Sequence, residues 1–196
     1  SLNYWEEARR ALESAEGSDL DRARLLEAYG GEPTQCAEAW RAILSADPTS
    51  TEAASGLERA LTRMGSRDGL ASVHGVLADN LPDAPLAAFH SLLAGHLFEA
   101  GEEQDRAIGY YEAAFKSRPY PGKAFDALRR IYAGQGNSEA LSTLYSTLAT
   151  ANPLGRAEAL EEAGDAAASA EIYAAQLAEA SDAAPAVRIP LMLRLE

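Results

Sequence analysis

Residues 93–153 read LAGHLFEAGEEQDRAIGYYEAAFKSRPYPGKAFDALRRIYAGQGNSEALSTLYSTLATANP, and this stretch decides the fold. Leu93 and Leu97 stand at helical spacing before Gly101; Phe125, Leu128 and Tyr132 do the same before Gly136. After each glycine comes a second apolar face, Ala107, Tyr111 and Ala114 in one case and Leu141, Tyr145 and Leu148 in the other. Each face runs on to a proline, Pro119 or Pro153. Apolar residues three and four apart mark one face of a helix. Glycine suits the left-handed residue after a helix, and a proline near the next start cannot continue the helix before it. The unit is therefore helix, glycine turn, helix, proline, with the Gly101 copy carrying one extra residue after its glycine.

The same punctuation extends outward. Pro48 and Pro82 are 34 residues apart, as are Pro119 and Pro153, and Gly31 and Gly65 share that spacing. A copy upstream reads Ala54, Leu57, Leu61, Gly65, Leu70, His74, Leu77 and Pro82, with His74 where the others place an aromatic residue. A weaker one reads Gly31, Cys36, Trp40, Ile43 and Pro48. Beyond Pro153 the skeleton Leu160, Gly164, Tyr173 and Pro185 persists, but Gly136 and Gly164 are only 28 residues apart, so the first helix there must be short or irregular. Thr49 with Glu52 reads as a capping box, and Ser66, Asp83 and Asn137 read as N-caps. The chain then segments into a partial unit at 1–16, full units at 17–50, 51–84, 85–121, 122–153 and 154–187, and a partial or capping helix at 188–196.

Composition agrees with helix. The sequence is 47% hydrophobic and only 7% aromatic, with alanine and leucine dominating, which suits helices packed through small side chains. A formal charge of −13 argues against a phosphate-binding surface and so against nucleic acid. Cys36 is the one cysteine, which excludes an intramolecular disulfide and a multi-cysteine zinc site. A reducing compartment, the cytoplasm, is the expected location, with the periplasm as the alternative. No stretch approaches the roughly 20 apolar residues of a membrane helix, and the N-terminal segment lacks an apolar signal core, so membrane insertion is not expected. Arginine greatly exceeds lysine and alanine is abundant, which suggests a high-GC bacterial genome.

The pattern of a large apolar residue, leucine, a small residue, an aromatic, glycine, alanine, an aromatic, a small residue and proline resembles the tetratricopeptide repeat. The resemblance implies an all-α fold, a right-handed superhelical α-solenoid of helix pairs, as a single array over 1–196. The ends YWEEARRAL and AVRIPLMLRLE fit half repeats, so the chain is expected to be a fragment of a longer bacterial array. Ile189, Leu191, Met192, Leu193 and Leu195 would then cap its last pair.

The resemblance also implies a non-catalytic interaction module or scaffold that holds a peptide or partner protein in the concave groove lined by first helices. Arg59 and Arg63 share one helix face at i and i+4, and Lys123 and Arg130 share another, with Asp126 nearby. Together these four form an expected basic stripe for acidic side chains or a carboxylate. Tyr29 and Phe98, with Leu25, are the expected apolar groove contacts. The family's clamp for an acidic chaperone terminus is not matched, since Arg59 and Gly95 occupy asparagine positions. Glu158, Glu161 and Glu162 would give an acidic face near the end of the array, which solvation accounts for better than binding. No two of His74, His90 and His96 have the i, i+4 spacing of a helical metal site, and Cys36 falls where packing demands a small residue. No phosphate loop, nucleophile elbow or metal-ligand cluster occurs, so no enzyme activity, cofactor or metal is expected. The alternatives are a spacer that self-associates into a homo-oligomer through its end helices, and a periplasmic scaffold of a polysaccharide-export or other envelope assembly.

Overall fold

The structure, a computed structural model, describes residues 18–180 together with Met192 and Arg194. The partial unit at 1–16 and most of the apolar C-terminal segment lie outside the described residues. Among the described residues there are ten helices and no strand. They are α1 (Asp19–Ala28), α2 (Pro33–Ala46), α3 (Thr51–Met64), α4 (Arg67–Asn80), α5 (Ala84–Ala100), α6 (Gln104–Ser117), α7 (Lys123–Gly134), α8 (Ser138–Ala151), α9 (Pro153–Glu162) and α10 (Ala166–Glu179). The protein is all-α. No described helix is long and apolar enough to cross a membrane.

Two kinds of connection alternate along the chain. After α1, α3, α5, α7 and α9 the backbone turns through a left-handed residue, namely Gly30, Gly65, Glu102, Gly136 and Gly164, with φ between 65° and 85°. Each turn is closed by the same long backbone bond. Gly31 N–H donates to the Leu26 carbonyl at 2.8 Å, and Ser66, Glu103, Asn137 and Asp165 donate at 2.9 Å to Leu61, Phe98, Tyr132 and Leu160. These bonds satisfy carbonyls that a helix end leaves orphaned. The other connections carry Pro48, Pro82, Pro119 and Pro153, whose rings cannot sit within a continuing helix.

The shared bond fixes the register of each turn and corrects two details of the sequence pattern, the first being that Gly30 and not Gly31 takes the left-handed conformation after α1. Gly101 is not the left-handed residue, for its φ is −90°; Glu102 is, at 65°. The core of α5 accordingly follows Ala94 and Phe98, both fully buried, while Leu93 and Leu97 are half-buried. Phe98 thus stands in the place of Leu61 and Tyr132. The extra length lies inside α5, which runs 17 residues where α3 runs 14, and not after its glycine.

The caps are similarly local. Asp83 and Asn137 accept from the backbone N–H groups of Leu86 at 2.8 Å and Ala140 at 3.1 Å. Ser66 makes no such side-chain bond. At the start of α3 the cap is Ser50, accepting from Ala53 N–H, and not Thr49, whose hydroxyl donates to Asp47. With Ser50 as the cap, Glu52 stands at the second helical position and not the third, so it completes no capping box, and its carboxylate is held by Arg24.

The described residues up to Tyr110 and those from Tyr111 onward form two compact units, and the dividing line falls inside α6. In the first unit each helix from α1 to α4 packs on the next. Its core gathers Cys36, Trp40, Leu57, Leu61, Val73 and Leu77. Trp40 of α2 lies flat against α3 at Gly56, where a methyl group would overlap the indole. In the second unit Phe125 contacts the rings of Phe115 and Tyr145 at 5.9 and 5.4 Å, and Ala157 of α9 packs on Tyr173 of α10. A fully buried Leu or Phe of this kind contributes about 1.5–3 kcal/mol, so these rings dominate the stability of each unit.

Candidate functional site

The first helices of the first unit, α1, α3 and α5, carry its densest polar cluster. Arg59 of α3 forks onto both carboxylate oxygens of Glu27 in α1, with Nη2 to Oε2 at 2.8 Å. The opposite exchange lies along the same two helices, Arg24 of α1 onto Glu52 of α3 at 2.6 and 2.8 Å. Both are two-pronged pairs with the planar geometry that guanidinium and carboxylate share. The Arg59 hydrogen bond holds the Glu27 carboxyl below its usual range despite partial burial, and Arg24 does the same for Glu52. Arg63, one turn beyond Arg59, is exposed in the last turn of α3. The expected basic stripe is therefore, on this helix, a ladder in which Arg59 already has its carboxylate.

Lys123 begins α7 and Arg130 follows two turns later, both exposed, with exposed Asp126 between them. The four arginines and lysines predicted as one stripe fall as two pairs, one in each unit. Tyr29, at the C-terminal end of α1, is 45% exposed and accessible to a partner. Phe98 is not. Its ring is 1% exposed, stacks on Tyr110 at 5.5 Å and is covered by the Arg106 guanidinium at 3.7 Å. The one-residue register of α5 explains this, since Phe98 occupies a core position.

A cluster that sequence reasoning did not assemble sits where α3, α4 and α5 meet. His74 Nδ1 of α4 and His90 Nδ1 of α5 are 3.1 Å apart, their rings stacked with centroids at 5.3 Å. A contact of this length between two ring nitrogens requires one to donate its N–H to the bare lone pair of the other. Glu58 Oε1 of α3 is 3.5 Å from His74 Nδ1. Burial lowers the pKa of His74; His90 is lowered by burial and by the neighbouring His74. Burial raises that of Glu58. The two histidines are too far apart in sequence for a helical-face rule to join them. A signal was nevertheless present: Trp40 and Gly56 have the same separation as His74 and His90, and both link the second helix of one pair to the first of the next.

Beside this cluster the surface turns apolar. Phe89, 53% exposed, and Leu86, 38% exposed, lie three residues apart on α5, and the Phe89 ring meets His90 edge-on at 5.5 Å.

Two grooves lie elsewhere. In the first unit α2, α3 and α4 enclose about 650 Å3, floored by Leu44, Leu57, Leu61 and Val73. In the second, α6, α7 and α8 enclose about 600 Å3, floored by Phe115, Leu128, Tyr132 and Leu144. Each floor residue of the first has its counterpart 71 positions later in the second, as Pro48 does in Pro119 and Gly65 in Gly136. The rims differ, with Arg41 in one where the other has Glu112, which accepts the Tyr132 hydroxyl. Repeated packing of the same helix triplet accounts for both spaces.

Cys36 is buried, its thiol raised by desolvation and turned toward the Gly31 carbonyl at 3.7 Å. Glu161 accepts from the Tyr173 hydroxyl at 3.1 Å and from Arg194 at 2.7 Å, so part of the acidic run on α9 is already paired. Among the described residues no group of three or more histidine, cysteine or acidic side chains is placed to hold a metal ion. In comparison with known proteins, no family model matches the chain and no curated protein is similar to it in sequence.

Proposed function

We propose that the chain is a tetratricopeptide-like α-solenoid acting as a non-catalytic module that binds a partner protein or peptide through the faces of its first helices. The observation that carries this reading is the exposed pair Phe89 and Leu86 on α5. A half-exposed phenylalanine leaves half of its ring in water, and burial of that half by a partner would release water from a large apolar surface. Beside it stand His90 and, through it, His74 and Glu58, polar groups of the sort that border an aromatic anchor in protein interfaces. Tyr29 at the far end of α1 is a second aromatic contact. The net charge of −13 favours a partner that is not nucleic acid.

The partner is expected to offer apolar side chains first and charge second, because Arg59 would have to leave Glu27 to take a new carboxylate. A photo-reactive phenylalanine analogue at position 89 tests this. Crosslinking should capture a defined partner that Phe89→Ala with Leu86→Ala fails to retain, while thermal stability stays unchanged. Equal capture by the double variant would refute the assignment of the site. The same crosslink applied to the purified protein alone reports whether a second copy is the occupant.

A further inference from the structure

The position that Trp40, Tyr111, Tyr145 and Tyr173 fill with an aromatic ring is filled in α4 by His74, the one member of this series that titrates near neutral pH. Its ring stacks on a second histidine from the next helix, and the contact is a single shared hydrogen bond. We propose that the His74–His90 pair is a proton-sensitive joint between α4 and α5, closed while one proton lies between the facing nitrogens and opened when both carry one. The effect on the Phe89–Leu86 face rests on the binding reading above; the joint itself does not.

The geometry sets the order of events. With both rings neutral, one Nδ1–H donates and the other Nδ1 accepts. A first added proton can be held at an outer nitrogen without disturbing that bond, and the Glu58 carboxylate, 3.5 Å from His74, would favour it. A second leaves two N–H groups and two positive charges facing across 3.1 Å, with no lone pair between them. The contact must then lengthen, either by a ring turning toward Glu58 or by movement of α4 or α5, and the joint as proposed takes the second course. Because Phe89 touches His90 edge-on, its face moves with the joint.

The surrounding groups define the balance. From α3 come Glu58 and, beyond it, Arg59, whose guanidinium is engaged by Glu27. From α4 and α5 come the two histidines themselves. From α6 comes Tyr110, whose hydroxyl lies against Gly75 and whose charged neighbours are Asp79 and Arg106. Both histidines have folded-state values below the ordinary 6.5, so their contribution is whole above that pH and is lost as pH falls. Glu58 lies above its ordinary 4.5 and acts in the opposite sense, its contribution being lost as pH rises. The imidazole and carboxyl contributions oppose each other, and the joint as proposed requires the loss of the shared imidazole hydrogen bond to govern, so that the first unit loosens below pH 6.5.

The test needs no partner, so its outcome is separate from that of the crosslink. Amide exchange, corrected for the intrinsic rate, is followed across α4 and α5 between pH 7.5 and pH 5 in the wild-type chain and in His74→Tyr, which keeps a ring but leaves only His90 to titrate, so that two imidazolium groups can no longer face each other. Protection in the wild type should fall more than in the variant as the pH drops below 6.5, the direction that lowered imidazole pKa values dictate. Imidazole nitrogen shifts in the wild type should show the second protonation coinciding with that loss. If His74→Tyr does not fold, His90→Leu, which leaves His74 without a facing imidazole, serves as the comparison. Parallel loss of protection in wild type and variant would overturn the proposal. So would two protonated rings with α4 and α5 still protected, or a pH response that a chelator abolishes.

Discussion

Replacing Gly56 by alanine should destabilise the first unit, although the same exchange elsewhere in a helix stabilises. An added Cβ at Gly56 would overlap Cδ2 and Cε2 of the Trp40 indole, the atoms its two rings share, and come within 2.6 Å of its Nε1. Trp40 is 1% exposed and so cannot swing into solvent; the helices must part or the indole must leave its rotamer. Overpacking costs about 1–3 kcal/mol, and an overlap with three atoms of one rigid, buried ring belongs at the upper end, about 2–3 kcal/mol. Against it stands the helix preference for alanine over glycine, worth about 1 kcal/mol. The net loss is about 1–2 kcal/mol, or a fall of roughly 2–8 °C in Tm for a protein of this length. Gly109 in α6 supplies the control, because nothing lies within 4 Å of its Cβ position. Gly109→Ala should gain about 0.5–1 kcal/mol. Thermal and urea unfolding by circular dichroism measure both. In a Trp40→Leu background, with the ring gone, Gly56→Ala should change sign and become neutral or favourable. A Gly56→Ala protein as stable as the wild type, or a penalty that survives removal of the indole, would refute the packing argument.

Two further outcomes follow from polar contacts. A double-mutant cycle on Arg59→Ala and Glu27→Ala should give a coupling of up to about 1 kcal/mol, kept small because the arginine side chain is 56% exposed and screened by water. Glu27 lies below its ordinary 4.5, so this coupling should be present at neutral pH, vanish as pH falls below that value, and shrink in high salt. Tyr132→Phe removes the hydroxyl that donates to Glu112 and should cost about 1 kcal/mol in urea unfolding. Burial and that hydrogen bond push the Tyr132 phenol well above its ordinary 10, so a late-ionising tyrosine seen at 295 nm in alkaline titration should disappear in the variant; an unchanged titration curve would show that another phenol is responsible.

The helices were legible because each is bracketed by residues whose backbone preferences are strong. Gly65, Gly136 and Gly164 each take the left-handed conformation that their spacing implies, and Pro153 opens α9. Gly101 misled because a glycine beside a left-handed position looks the same in sequence as a glycine in it. Here Glu102 takes that conformation and Gly101 ends the helix at ordinary φ. That single step decided the fate of Phe98, which sequence placed in the groove and packing placed in the core. The charge ladder was hidden for a different reason. Arg59 and Glu27 are distant in sequence, and helical periodicity states which residues share a face of one helix but not which residues of another helix they meet.

The paired arginines also bear on what the binding face can recognise. In a chain of net charge −13, a solvent-exposed cation has abundant internal carboxylates with which to compete, and a fork-to-fork pair is the strongest of the local options. An acidic peptide approaching Arg59 must break two hydrogen bonds to Glu27 before it makes two of its own, and it then leaves a partly buried carboxylate unpaired. Charge exchange of that kind yields little net affinity. Phe89 has no such internal competitor, since nothing is broken when its exposed half is covered. If the proposed binding role holds, selectivity on this face rests on the shape and apolarity of what meets Phe89 and Leu86, while the ladder joins α1 to α3.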